Sequence, residues 1–416
     1  MHSREQLFHV LAEAAELEHN LLCSYLFAAF SLKQDISENL TAEELATVTE
    51  WHETLIGICI EEMVHLAQVS NLLVAVGARP HFNRPNLPVA PGYHPASIVI
   101  ELAAFDQTTM DHFIFLERPE DAPVKDPRLT STEPQQPERN ASATWLMPCA
   151  PEYKTVGEFY KYVRAGLGQL ATRLGENQLF CGGSRHQLRG TELNAPDLIV
   201  VTDLRSAQAA VDFIVEQGEG SAGNHESSHF QRFSRIKEQC LRLTSSRPGF
   251  CGHRDVARNP VMRPPTETDR VHVTAAAAAD VLDAANAAYG IMLRCLIAIY
   301  EVPWGAKKRR KALLGAAMAS MKALTALACK LTQLPAQEGK ATPCAGVSFA
   351  MLRSVEGYAM DAGEAHLLAE RLRHIVARVT ELGLTGIAPL VMAALAEAAV
   401  ALDDTELVKE NNVGCK

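Results

Sequence analysis

The 416-residue chain is too long for one compact core, so two domains are expected. Composition is ordinary globular, and a net charge of −10 with scattered basic residues argues against nucleic acid as a partner. Ten cysteines without a CxxC pair or regular spacing point to reduced thiols rather than a disulfide framework, and so to a cytoplasmic protein.

The N-terminus runs directly into an amphipathic pattern that carries acids, unlike a secretory signal. No uncharged apolar stretch reaches about 18 residues, so no membrane span is expected. Apolar periodicity predicts two long helices between Leu7 and Val76, interrupted near residues 35–41, with Ser37 or Thr41 to cap the second. Gly77 and Pro80 end the pair. Residues 78–154 read as an irregular crossover with one apolar segment, Ile98 to Leu116. Helical pattern resumes at 155–176 and at 206–243, the latter broken by Gly218, Gly220 and Gly223, with a short β-like run from Leu198 to Val201 between them.

Residues 1–245 therefore form a first domain and 246–270 a linker rich in Pro, Arg and Gly. Residues 271–416 form a second helical domain, with helices expected at 275–300, 307–334, 349–382 and 387–402. The basic run from Lys307 to Lys311 opens one of these and reads as a solvated helix start or loop. The expected class is all-α: a four-helix bundle with a long crossover, plus a C-terminal helical bundle.

Chemistry enters through acids that interrupt apolar stripes. On the second helix the stripe is Leu55, Ile58, Glu62, His65, Val69, Leu72, Val76. An unpaired buried carboxylate costs several kcal/mol, so Glu62 needs a compensating partner, and a divalent cation supplies one. Glu62-x-x-His65 places both groups on one face, one turn apart. With 34 Glu and 15 His, about 1.2 such pairs are expected by chance; three occur. Glu16-x-x-His19 lies on a mostly polar face and is set aside, whereas Glu226-x-x-His229 continues through Phe233, Ile236 and Cys240. Glu18 falls on the first helix's stripe with Leu7, Leu11, Ala14, Leu22 and Tyr25, and Glu158 is placed on a stripe with Tyr162, Ala165 and Gln169. Glu219 lies seven residues before Glu226, so either or both could coordinate. Four carboxylates and two histidines in this order are the ligand set of di-iron carboxylate bundles and neutralise two divalent ions. Bland alternatives are a helix-dipole acid for Glu158, a salt bridge for Glu18 and a solvated loop acid for Glu226.

These residues carry a resemblance. Ala15-Glu16-Leu17-Glu18-His19, Glu61-Glu62-Met63-Val64-His65, Val156-Gly157-Glu158-Phe159-Tyr160, Gln217-Gly218-Glu219-Gly220 and Ser228-His229-Phe230 resemble the ferritin-like domain of the iminophenylpyruvate dimer synthase type. That family includes enzymes that couple aryl-pyruvate imines in violacein and indolocarbazole biosynthesis. The similarity covers about residues 5–243 and continues more loosely through Ala288 to Leu293 and Ala345 to Phe349, with Val347 where the family has Pro. It implies Glu219 and His229, rather than Glu226, as the ligands from the fourth helix. The family's longer members are described as haem-containing oxidases, which the acid and histidine pattern here neither shows nor requires.

The function expected from pattern and resemblance together is an O2-dependent oxidase or oxygenase with two Fe(II) ions, or Mn in their place. Its substrate would be a small amino-acid-derived amine, imine or keto acid from natural-product biosynthesis. Tyr25 and Tyr162, within two turns of ligands on their stripes, are candidate hydrogen-bond donors at the metal, against the commoner role of core packing. Expected partners are that substrate and O2, without nucleic acid or membrane, and a homodimer is compatible. The competing class is a non-catalytic iron-binding or storage protein on the same bundle.

Overall fold

The computed structural model describes residues 1–89, 93–94, 98–120, 122, 148, 151–218, 227–351, 353, 364–384, 387 and 389–413, with side chains as far as 404. The chain forms two compact units, one of residues 1–81 with 88–254, the other of residues 82–87 with 255–416.

In the first unit, α1 (Arg4–Ser31) starts at Ser3, whose hydroxyl accepts the Gln6 N–H. A 3-10 turn, Ile36–Glu38, separates it from α2 (Ala42–Ala75). Thr41, not Ser37, caps α2: its hydroxyl accepts the Glu44 N–H while the Glu44 carboxylate accepts the Thr41 N–H. Within the crossover the second half of the apolar segment forms α3 (Gln107–Leu116), while Ile100 makes an isolated bridge with Val89. Then follow α4 (Val156–Leu174), the single-turn helices α5 (Glu176–Leu179) and α6 (Gly190–Leu193), α7 (Leu204–Gly218) and α8 (His229–Ser246). The periodic segment read as 206–243 is thus two helices, and α1, α2, α4 and α7 make the four-helix bundle. Outside it, α8 packs on α3 and on α2.

The β-like run from Leu198 to Val201 pairs with no strand among the described residues. Its backbone is satisfied by side chains instead: the Ile199 N–H and carbonyl bond to the Gln68 amide at 2.8 and 3.0 Å, and those of Val201 to the Gln187 amide at 2.8 and 2.7 Å. Apolar alternation there reflects burial without a ladder. The described strands, β1 (Pro260–Val261) and β2 (Val271–His272), form a two-residue parallel pair in the second unit.

That unit is a bundle of α9 (Ala276–Glu301), α10 (Lys307–Leu331), α11 (Glu364–Glu381) and α12 (Pro389–Val413). Of the helix expected over 349–382, the described part is α11 from Glu364, and Phe349 at its expected start has φ +46°, which a helix does not admit. The basic run is not wholly solvated either. Arg310 is 2% exposed and donates to the Ile299 and Val302 carbonyls, closing the α9–α10 turn. By length and composition α2, α9 and α10 are apolar enough to cross a bilayer, yet more than half of each apolar window is buried within the protein.

Candidate metal centre

Two helices bring the first part of the site. The α1 stripe from Leu7 to Tyr25 and the α2 stripe from Leu55 to Val76 are buried almost throughout, and they carry Glu18, Glu62 and His65 into the bundle interior. His65 Nδ1 lies 3.2 Å from both Glu18 Oε2 and Glu62 Oε2. The other ring nitrogen donates to the Gln217 side-chain oxygen at 2.9 Å, which orients the ring and turns Nδ1 toward the acids.

The second part comes from outside the bundle. His229 is the first residue of α8, held there by the Ser228 cap, and Glu117 ends α3. His229 Nδ1 sits 2.8 Å from Glu62 Oε1 and 3.7 Å from Glu117 Oε2. Its Nε2 donates to Glu61 Oε2 at 2.9 Å, and Arg232 donates to the same Glu61 oxygen. Potential ligand atoms thus fall in two groups, Glu18–Glu62–His65 and Glu62–Glu117–His229, each within 4.8 Å internally and all buried. Glu62 belongs to both.

Two buried tyrosines hold the outer carboxylates. Tyr25 donates to Glu117 Oε1 at 2.5 Å, and the Tyr160 hydroxyl donates to Glu18 Oε1. Burial, reinforced by the neighbouring carboxylates, pushes both phenols well above their ordinary range, so they stay protonated donors. Burial and the Glu62 charge raise Glu18 to about 8. For Glu62 the His229 and His65 charges overcome burial and hold the carboxyl well below the usual range. Burial would lower His65, but the charge of Glu62 and the bond to Glu18 raise it to about 10. Burial would lower His229 as well, but the charge of Glu62 raises it well above its ordinary range.

The donors suit a cation. His229 Nδ1 is buried beside two carboxylates yet makes no properly directed hydrogen bond, so it lacks the partner a metal would supply. A Cβ on Gly218 would lie 3.1 Å from Glu117 Oε2, so the missing side chain keeps that flank open. The cavity beside Glu18, Glu62, His65, Glu117 and Tyr160 measures about 20 Å³, room for little more than one water-sized occupant. Carboxylate oxygens with imidazole nitrogens fit Fe(II), Mn(II) or Zn(II).

The structure brings Glu18, Glu62, His65, His229 and Tyr25 together. It does not bring Glu158 or Tyr162 to them. The buried stripe of α4 is Tyr160, Val163, Leu167, Leu170, and the stripe through Glu158, Tyr162 and Gln169 faces outward. The Glu158 carboxylate accepts the Lys154 N–H at 2.6 Å as part of the helix cap, and the Tyr162 hydroxyl accepts from Gln6. Glu219 and Glu226 lie outside the described residues. Glu117 and Tyr160 were missed. Tyr160 was legible from the α4 apolar stripe, whereas Glu117, in the irregular crossover, had no periodic context to mark it.

A sequence profile of the family described as ferritin-like matches residues 11–238. Among curated proteins the chain is 26% identical over 359 residues to dichlorochromopyrrolate synthase of Lentzea aerocolonigenes, which covers 76% of this chain and 33% of that protein. It is 26% identical over 357 residues to 2-imino-3-(indol-3-yl)propanoate dimerase of Chromobacterium violaceum, covering 80% of this chain and 33% of that protein. The chain spans about a third of the length of these relatives. Among solved structures, a ferritin-like protein from Caulobacter vibrioides aligns with TM-score 0.47 and 21% identity, over 78% of this chain and 93% of that one.

Proposed function

The chain belongs to the ferritin-like family, and on that premise we propose that it binds two iron ions and oxidises a small amino-acid-derived amine, imine or keto acid with O2 in a natural-product pathway. The observation that carries the reading is that Glu62 is shared between two buried Glu/His groups, each able to hold one ion. Glu18 and His65 would complete one position, Glu117 and His229 the other. Bound iron would supply the electrons for O2 reduction.

The chain's own residues do the rest. Tyr160 and Tyr25 fix the Glu18 and Glu117 carboxylates and keep protons at the two hydroxyls. Leu21, Leu116, Val156 and Ile214 line the cavity with apolar surface that limits water around the acids. The imine class is suggested by the Chromobacterium violaceum relative, a 2-imino-3-(indol-3-yl)propanoate dimerase, and that indolyl imine is the first substrate to try. Substrate and O2 are the partners in this reading. A cytoplasmic setting is part of this reading and rests on ten cysteines without a CxxC pair or regular spacing.

The test is anaerobic reconstitution with Fe(II), followed by metal analysis and O2 uptake with 2-imino-3-(indol-3-yl)propanoate and related imines. Two irons per chain and substrate-dependent O2 consumption with an altered organic product are expected. Less than one metal per chain sinks the metal centre. O2 uptake that ends in ferric mineral with every substrate unchanged sinks the oxidase and leaves an iron-storing protein.

A further inference from the structure

The two histidines of the centre are backed by different groups. His229 Nε2 donates to Glu61, a carboxylate that also accepts from Arg232, while His65 Nε2 donates to the neutral amide oxygen of Gln217. Glu61 is adjacent in sequence to Glu62, so one turn of α2 supplies both the shared acid and the acid behind His229. Successive helical residues point about 100° apart, which lets Glu62 face the interior while Glu61, 30% exposed, reaches round to the far edge of the His229 ring.

A carboxylate behind an imidazole orients the ring and raises the basicity of the nitrogen that faces the metal; a neutral amide orients it with less effect on basicity. We propose that Glu61 and Gln217 are positioning residues that make the two metal positions inequivalent, with the His229–Glu117 position the tighter. This inference rests on the two-metal reading above. Arg232 draws off part of the Glu61 charge without touching His229's metal-facing nitrogen, so it tunes the difference and does not create it.

Cobalt(II), titrated anaerobically into the metal-free full chain, tests this, with ligand-field absorption and metal analysis as readouts. Two binding events of different strength are expected for the wild type. In Glu61→Gln the stronger event weakens by roughly 10–100-fold and its absorption bands shift, while the weaker event holds. Arg232→Gln breaks the same ion pair but leaves the carboxylate on His229, so it should keep the stronger event. Gln217→Glu places a carboxylate behind His65 and should narrow the gap between the events, an arm that stays informative if Glu61→Gln folds poorly. Two events unmoved by Glu61→Gln, equal losses in Glu61→Gln and Arg232→Gln, or an unnarrowed gap in Gln217→Glu overturns the inference while the two-metal reading stands. Fewer than one cobalt bound to the wild type overturns both.

Discussion

Glu117 and Glu158 differ in what surrounds their carboxylates. Glu117 is 5% exposed, takes a hydrogen bond from buried Tyr25 and faces His229; Glu158 accepts a backbone N–H at the start of α4. Glu117→Ala should therefore lower iron content from about two to about one per chain. Glu158→Ala should leave iron content unchanged and cost about 0.3–1 kcal/mol of stability through the lost first-turn acid. Metal analysis and thermal unfolding of the two variants separate these outcomes. Protonation gives a second expectation at this scale. Glu18, at about 8, and His65, at about 10, both carry protons at pH 7 in the metal-free protein, and ligation requires both to be deprotonated. Metal binding at pH 7 must then release protons. Apparent affinity should fall as pH falls below about 10, on the order of tenfold per pH unit for the His65 proton, and more steeply below about 8, where the Glu18 proton adds its own. Calorimetric titration with manganese(II) in buffers of different ionisation heat measures the release, and a buffer-independent heat would contradict it.

At the scale of elements, helices were legible wherever apolar residues recur every 3.6 positions, and α1 and α2 carry their acids on such stripes. On α4 two stripes compete. The one with Tyr160, Val163, Leu167 and Leu170 is buried because its apolar area outweighs that of the stripe through Glu158 and Gln169. The β-like run at residues 198–201 misleads for a related reason, since burial alone produces apolar residues and the amides of Gln68 and Gln187 take the place of a partner strand. The start of α8 has a direct consequence for the site. Ser228 caps the helix on which His229 is the first residue, its hydroxyl accepting the Gln231 N–H. Ser228→Ala should cost about 0.5–2 kcal/mol, speed hydrogen exchange of the Gln231 amide, and loosen His229 enough to weaken metal at the Glu117 position. Unchanged exchange at Gln231 would rule out this role for the cap.

At the scale of the whole molecule, the division into units does not follow chain order, because residues 82–87 belong with 255–416. Buried Arg84 donates to the Tyr289 hydroxyl and the Phe349 carbonyl, and Phe82 packs against Tyr300. A fragment of residues 255–416 lacks both contacts. It should be less stable than the same unit with residues 82–87 supplied as a peptide, by roughly 2–4 kcal/mol for the lost charged hydrogen bonds and buried ring. Denaturant unfolding with and without the peptide checks this.

By itself the sequence determined the helical class and the stripes on which Glu18, Glu62 and His65 are buried, because periodicity and the cost of burying an acid are properties of a single helix. Only the tertiary structure decided that Glu117 and His229 meet Glu62, that Tyr160 rather than Tyr162 reaches Glu18, and that Glu158 faces outward. Those facts depend on which face each helix turns to its neighbours and on where an irregular crossover returns. Neither is encoded in the spacing of residues along one element.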